Sequence, residues 1–228
     1  MKKCIPIMAK KLDETIENVA KAASQKCDFI EWRIDCLESG IDKESFLNAW
    51  NTIKEICPVP VIVTLRTARE GGQKDLDITE YNRALYGIIK YMKPEIMDIE
   101  LNACGGDASA NMMIRNAHRE GIKVIVSFHD MLYTGEARDV EMMLCRMKYI
   151  GADIPKVAYM ANNKQDVENL KNGAKAASSY LGDIIAISMG ELGVETRIDG
   201  LDFGSVITFV QPVGSGFDQS KSIGQLPL

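Results

Sequence analysis

The sequence predicts a single-domain (β/α)8 barrel (the TIM barrel) spanning residues 1–228. Three observations carry the prediction. The chain has 228 residues, close to the ~250 of an ordinary barrel of this class. Eight short apolar runs of strand length recur along it, at residues 4–8, 29–34, 59–65, 96–101, 124–128, 154–159, 184–188 and 206–210. Amphipathic helical patterns separate most of them. Alternating strands and helices imply a parallel sheet, because each strand must be re-entered from the same end, and eight units suggest closure. A doubly wound open sheet is the alternative, but its G-x-G-x-x-G signature does not follow the first strand, where the chain reads Met-Ala-Lys-Lys-Leu at 8–12.

The helices follow in order. In the first gap Leu12, Ile16, Val19, Ala20 and Ala23 share a face, and in the second Phe46, Leu47, Trp50, Ile53 and Ile56 do. Tyr81, Leu85, Ile88, Ile89 and Met92 make the third stripe. Asp107 is placed to cap the fourth helix and Gly121 to end it. The fifth carries Val140, Met143, Met147 and Ile150. The sixth carries Val167, Leu170, Ala174, Ala177 and Leu181 and stops at Gly182. Residues 189–204 leave room for a brief helix only. The first strand starts at once, without a preceding hairpin. Residues 211–228 contain Gly214, Gly216, Gly224 and two prolines and have no helical period, so no eighth helix is expected. Outer side chains of the first and last strands, such as Ile5 or Ile7 and Ile207 or Phe209, are then expected to lack a cover, a dimer surface or a source of lability.

Composition narrows the function. Hydrophobic residues make 46% and charged residues 26%, average for a globular chain. No apolar run approaches the ~20 residues of a membrane span, and the N-terminal stretch is too short for a signal peptide. A net charge of −5 argues against nucleic acid. The expectation is a cytoplasmic protein with a small-molecule substrate. Cysteines stand at 4, 27, 36, 57, 104 and 145 with no C-x-x-C pair, and the only histidines are His118 and His129. No zinc site of usual spacing is expected; the thiols read as small core fillers in a reducing compartment.

In such a barrel the chemistry lies at the C-terminal ends of the strands. Polar residues expected there are Glu31, Arg33 and Asp35 on strand two, Arg66, Arg69 and Glu70 after strand three, and Glu100 and Asn102 on strand four. His129 and Asp130 end strand five, Lys156 lies on strand six, Ser188 and Met189 end strand seven, and Arg197 follows. Lys156 is the most informative. It stands among apolar residues, and a lysine inside a barrel lumen is costly to keep charged, which frees the amine as a nucleophile. An outer-rim lysine, or one paired with a buried acid, is the other reading. His129 ends an apolar strand and suits acid–base chemistry, with a satisfied core histidine as the alternative. Glu70 is placed to orient it, unless it is a solvated loop acid. His118 lies in a polar helix end and reads as surface. Arg33, Arg66 and Arg197 come from three elements; around a lysine they suggest a carboxylate to be held. Glu31 and Asp35 either neutralise them or accept hydrogen bonds from substrate hydroxyls.

These residues resemble a family. Glu-Trp-Arg-Ile-Asp at 31–35, Thr-Leu-Arg-Thr-Ala-Arg-Glu-Gly-Gly at 64–72, Ser-Phe-His-Asp at 127–130, Gly-Ala-Asp-Ile-Pro-Lys-Val-Ala at 151–158, Ile-Ser-Met-Gly at 187–190, Arg197, Phe-Gly-Ser at 203–205 and Gly-Gln at 224–225 look like type I 3-dehydroquinate dehydratase. The likeness runs in order from about residue 4 to 227. It implies a (β/α)8 barrel, usually a homodimer, with no metal and no organic cofactor, that dehydrates 3-dehydroquinate to 3-dehydroshikimate in the shikimate pathway of aromatic amino acid biosynthesis. By position, the resemblance implies that Lys156 forms the imine, His129 transfers protons and Glu70 is its carboxylate partner. It implies substrate binding by Glu31, Arg33, Arg66, Met189, Arg197 and Gln225. Three departures stand out. Pro6 and Phe128 replace a serine and an asparagine common in the family. The terminal Ser-Ala-Pro-Gly-Gln becomes Lys-Ser-Ile-Gly-Gln at 221–225, which leaves Ser222 as the substitute serine. The other readings are a different Schiff-base barrel, of the class I aldolase kind, and a barrel that binds a ligand or partner without turnover.

Overall fold

A computed structural model describes residues 1–210. The order is β1 (Lys2–Ile7), α1 (Leu12–Ala23), β2 (Phe29–Arg33), α2 (Lys43–Ile56), β3 (Val61–Thr64), α3 (Ile78–Gly87, prolonged by a π turn over Ile88–Met92), β4 (Ile96–Glu100), α4 (Asp107–Arg119), β5 (Lys123–Asp130), α5 (Ala137–Tyr149), β6 (Ile154–Met160), α6 (Lys164–Leu181), β7 (Ile185–Met189), two 3₁₀ helices (Glu191–Arg197 and Gly200–Phe203) and β8 (Ile207–Phe209). The eight strands form one parallel sheet in the order β7-β6-β5-β4-β3-β2-β1-β8. A parallel bridge between Ile184 and Ser205 links its two ends. There the Val206 N–H donates to the Ile184 carbonyl at 2.9 Å, and the Ala186 N–H to Ser205 Oγ at 3.0 Å. The sheet therefore closes into the expected barrel. The expectation about an eighth helix lies outside the described residues.

Side-chain alternation along the strands divides the core in two. Outward residues such as Ile5, Ile7, Ile30, Trp32, Val63, Met97, Ile99, Val124 and Val157 pack with the helices. Inward residues fill the lumen, and its lower part is apolar: Cys4, Ile62, Ile96, Ile125, Ile185 and Ile207 cluster there. One or two steps further along β3, β4 and β5 the inward positions turn polar, at Thr64, Asp98 and Ser127, while on β7 and β8 they stay apolar. This gradient positions the site.

Most predicted helix stripes are buried. Tyr81, Leu85, Ile88, Ile89 and Met92 are all in the core, as are Val167, Leu170, Ala174 and Ala177. On α1, Val19 is buried and Leu12, Ile16 and Ala23 pack against the core as expected, but Ala20 is exposed and Thr15, Asn18 and Ala22 complete the buried face. Asp107 does not cap α4. Gly106 holds that place at φ 116°, a backbone that favours glycine, and the Asp107 carboxylate instead pairs with Arg146 of α5 at 2.7 Å. Gly182 does terminate α6, at φ 80°.

The expected bare stripe on strands one and eight is not found. Ile5 and Ile7 are fully buried and belong to the sheet–helix core. Ile207 and Phe209 point inward and join the lumen cluster. On so short a strand a one-residue change of register reverses every side chain, which is why the apolar run alone misassigned them. Pro6 fits its strand because the β1–β8 pairing reaches only Cys4, opposite Phe209, so its missing N–H falls beyond that ladder. Phe128 points outward and packs on Tyr159, ring centroids 5.7 Å apart. The six cysteines are free thiols.

Candidate active site

Lys156 enters the lumen from β6. Its neighbours in register are Ser127 on β5 and Ile185 on β7. It is 4% exposed. Its Nζ lies 3.5 Å from Asp98 Oδ2 on β4 and 4.2 Å from the centre of the Phe209 ring on β8. The lysine is thus in the lumen, as expected, but it has an acid partner that its apolar neighbours in the sequence do not announce.

Asp98 is the hub of a buried network. Its Oδ1 accepts from Arg66 Nη2 at 3.0 Å and from Ser127 Oγ at 2.7 Å. Burial alone would raise this carboxyl, but Arg66, Lys156 and the Ser127 hydroxyl outweigh it and hold Asp98 below its ordinary value. Glu100, two residues on, accepts from Arg66 Nη1 at 3.0 Å, from the Thr67 N–H at 2.8 Å and from Thr67 Oγ1 at 2.6 Å. Arg66 is therefore pinned by Asp98, Glu100 and Ser127 and sits 3.6 Å from Glu70.

His129 stands one inward step beyond Ser127 on β5. Its Nδ1 meets Glu70 Oε2 at 2.9 Å, and its backbone N–H donates to the same oxygen at 3.0 Å. Glu70 reaches it from a 3₁₀ turn, Ala68–Glu70, that closes on Gly71 at φ 84°. Gly72 then passes so close to the Arg66 carbonyl that a Cβ there would collide with it. The two glycines fold the loop back over the barrel rim and aim Glu70 at the imidazole. Burial, with the Arg66, Lys156 and Arg33 cations, holds His129 well below the ordinary 6.5, so the ring is neutral at neutral pH. Burial and the Glu100 carboxylate push Glu70 upward, against Arg66. With Nδ1 committed to Glu70, Nε2 is the nitrogen left for a substrate. A cleft of about 810 Å³, lined in part by Thr67, Arg69, Glu70, His129, Asp130 and Leu132, opens beside the pair. His118 is at the surface, 2.9 Å from Asp153.

The three arginines differ. Arg33 is clamped by Asp35, Nε to Oδ1 and Nη2 to Oδ2, both at 2.8 Å, and Asp35 also takes the N–H groups of Arg66 and Gln73. Glu31 accepts from Thr64 Oγ1 at 2.8 Å. Arg197 is 3% exposed; its Nε and Nη2 have no partner among the described residues, and Nη1 makes one long contact, 3.4 Å, to the Phe209 carbonyl. Burial lowers it to about 10. Arg33 and Arg66 are thus neutralised by neighbouring carboxylates, and Arg197 is the one of the three without an acid partner among the described residues. Met189 lines the lumen on β7, 8% exposed. Ser222 and Gln225 lie outside the described residues. The residues that sequence reasoning passed over are Asp98, Ser127, Thr64 and Thr67. For Asp98 a signal existed: in Ile-Met-Asp-Ile-Glu at 96–100 the acids alternate with apolar residues at the period that points both into the lumen.

The model of the type I 3-dehydroquinase family matches residues 3–228. The 3-dehydroquinate dehydratase of Clostridium kluyveri is 33% identical over 208 residues, 90% of this chain and 81% of that protein. That of Alkaliphilus oremlandii is 34% identical over 209 residues, with the same coverage. The crystal structure of type I 3-dehydroquinate dehydratase from Clostridium difficile superposes with a TM-score of 0.86 at 30% identity, over 92% of this chain and 83% of that one. By sequence and fold together, the chain belongs to the type I 3-dehydroquinase family, whose members are hydro-lyases.

Proposed function

We propose that this chain dehydrates 3-dehydroquinate to 3-dehydroshikimate through an imine on Lys156, serving the shikimate pathway. The observation that carries the reading is the lumen itself: a buried lysine, a partly buried neutral imidazole on the adjacent strand and a buried arginine with two nitrogens unpartnered among the described residues share one barrel end. Each answers one demand of the reaction. Arg197 offers free N–H donors to the ring carboxylate, a pairing strengthened by desolvation. The Lys156 nitrogen, as free amine, bonds to the ring ketone carbon. The ketone oxygen is protonated and leaves as water, giving the iminium. That cation acidifies the adjacent C–H and accepts its electron pair, so no metal is needed as an electron sink.

His129 Nε2 takes the proton from that carbon, and the C–N bond order falls as an enamine forms. The enamine pair then expels the neighbouring hydroxyl, which departs as water with the proton that His129 carries, and the iminium is restored in conjugation with the new C=C bond. Water adds to the iminium carbon, the C–N bond breaks and Lys156 returns. Glu70 fixes the Nδ1 side of the ring and opposes the charge His129 acquires, while Arg66 limits how far Glu70 can move. Glu31 and the Arg33–Asp35 pair supply polar contacts for the ring hydroxyls, and Met189 an apolar wall. The test is direct: 3-dehydroquinate added to the purified chain should yield the enone absorbance of 3-dehydroshikimate, and Lys156→Ala should yield none. An active chain whose Lys156→Ala variant retains that activity would refute the reading.

A further inference from the structure

The two oxygens of Asp98 are used unequally. Oδ1 is tied by Arg66 Nη2 at 3.0 Å and Ser127 Oγ at 2.7 Å, and Arg66 is itself held by Glu100. Oδ2 makes no hydrogen bond among the described residues and lies 3.5 Å from Lys156 Nζ. A carboxylate anchored through one oxygen cannot turn freely, so the other stays directed at the amine. Every other side packed against Lys156 lacks an ionised partner at this range. Cys4 on β1 is a buried thiol, His129 on β5 is a neutral ring, β7 presents Ile185, Ile187 and Met189, and β8 presents the Phe209 ring. Among the described residues Asp98 is the one carboxylate within ion-pair distance of the amine.

We infer that Asp98 is a positioning residue that holds the Lys156 nitrogen in place and remains as its counter-ion once the nitrogen has become an iminium. The inference rests on the reading of Lys156 as the imine-forming residue. It has two consequences of opposite sign. Before the reaction, a fixed carboxylate pairs with the ammonium form, so taking its charge away favours the free amine that attacks. After it, the iminium keeps its positive charge, and in a buried lumen a counter-ion at this distance stabilises it far more than in water. A side chain that merely filled space would have neither effect.

The experiment measures the rate at which cyanoborohydride traps a Lys156 adduct with saturating 3-dehydroquinate between pH 5 and 9, by intact mass with peptide mapping, alongside turnover. The full chain, Asp98→Asn and Ser127→Ala are compared. For Asp98→Asn the rising limb of the trapping profile should move about one pH unit or more to lower pH, while turnover at the optimum falls at least ~10-fold. Ser127→Ala keeps the carboxylate but removes one tether, so a smaller shift in the same sense is expected. A general structural defect would lower both rates without moving the limb. If Asp98→Asn does not fold, the limb of Ser127→Ala decides: a shift supports the inference and coincidence with the parent overturns it. A Lys156 adduct with superimposed limbs in both variants overturns this inference alone. Turnover in the parent without a Lys156 adduct overturns the imine reading and this inference with it.

Discussion

Arg197 makes a stability cost visible. The guanidinium is 3% exposed, two of its nitrogens lack partners among the described residues, and burial is the one cause that lowers it from its ordinary value to about 10. The sign follows from linkage. The folded state binds this proton less tightly than the unfolded chain, so folding carries a penalty wherever both states are protonated. The penalty is full below about pH 10 and is relieved only as pH rises from there toward the ordinary arginine value. At neutral pH the difference corresponds to on the order of 3 kcal/mol. Arg197→Met removes the charge and keeps apolar volume, at the cost of the long bond to the Phe209 carbonyl, roughly 1 kcal/mol. A net gain of ~2 kcal/mol remains, in the range seen when buried ions are replaced by apolar residues, and it corresponds to ~4–8 °C in Tm for a chain of this size. The assay is thermal unfolding with and without 3-dehydroshikimate, the carboxylate product of the proposed reaction. Without ligand the variant should melt higher than the parent. With ligand the parent should gain stability and the variant should not, and kcat/KM should fall by ~100-fold or more, as expected when a charge-assisted contact to a carboxylate is lost. A variant that melts lower without ligand yet is still stabilised by it would refute the reasoning.

The remaining predictions concern the acid–base pair and metals. His129→Ala should still form the imine but lose turnover by ~10²–10⁴ for each proton transfer the ring serves, whereas His118→Ala, at the surface beside Asp153, should be nearly silent; steady-state rates and borohydride trapping separate the two, and equal losses would contradict the assignment. Because neighbouring cations and burial hold His129 below its ordinary 6.5, its protonation should not cut kcat/KM between pH 7 and 6.5, and a fall centred on 6.5 that disappears in His129→Ala would oppose the account. Activity should survive exhaustive chelation, since the iminium supplies the electron sink. A loss on chelation that zinc or magnesium restores would overturn that step.

The barrel was readable because strand and helix periods are written directly in the apolar pattern. The stripe of α3, from Tyr81 to Met92, is one case, and the Gly182 stop of α6 is another. What escaped depended on partners far away in sequence. Nothing local distinguishes Arg66 from Arg197, yet Asp98 and Glu100 neutralise the first, while two nitrogens of the second have no partner among the described residues. Lys156 looked isolated among apolar residues because its acid, Asp98, arrives from β4 across the lumen. Ile207 was assigned to the outer face because a three-residue strand carries too little alternation to fix its sense. On α1 the apolar pattern passed over Thr15 and Asn18, polar residues that share the buried face, and included Ala20, which is exposed.

The central claim is that the Lys156 amine carries the substrate covalently. Incubation with 3-dehydroquinate and sodium borohydride, followed by mass spectrometry of the intact chain and its peptides, tests it most directly. The account predicts one adduct per chain, on the peptide that contains Lys156, abolished together with turnover in Lys156→Ala. An adduct on a different lysine, or undiminished turnover with no adduct at all, would contradict it.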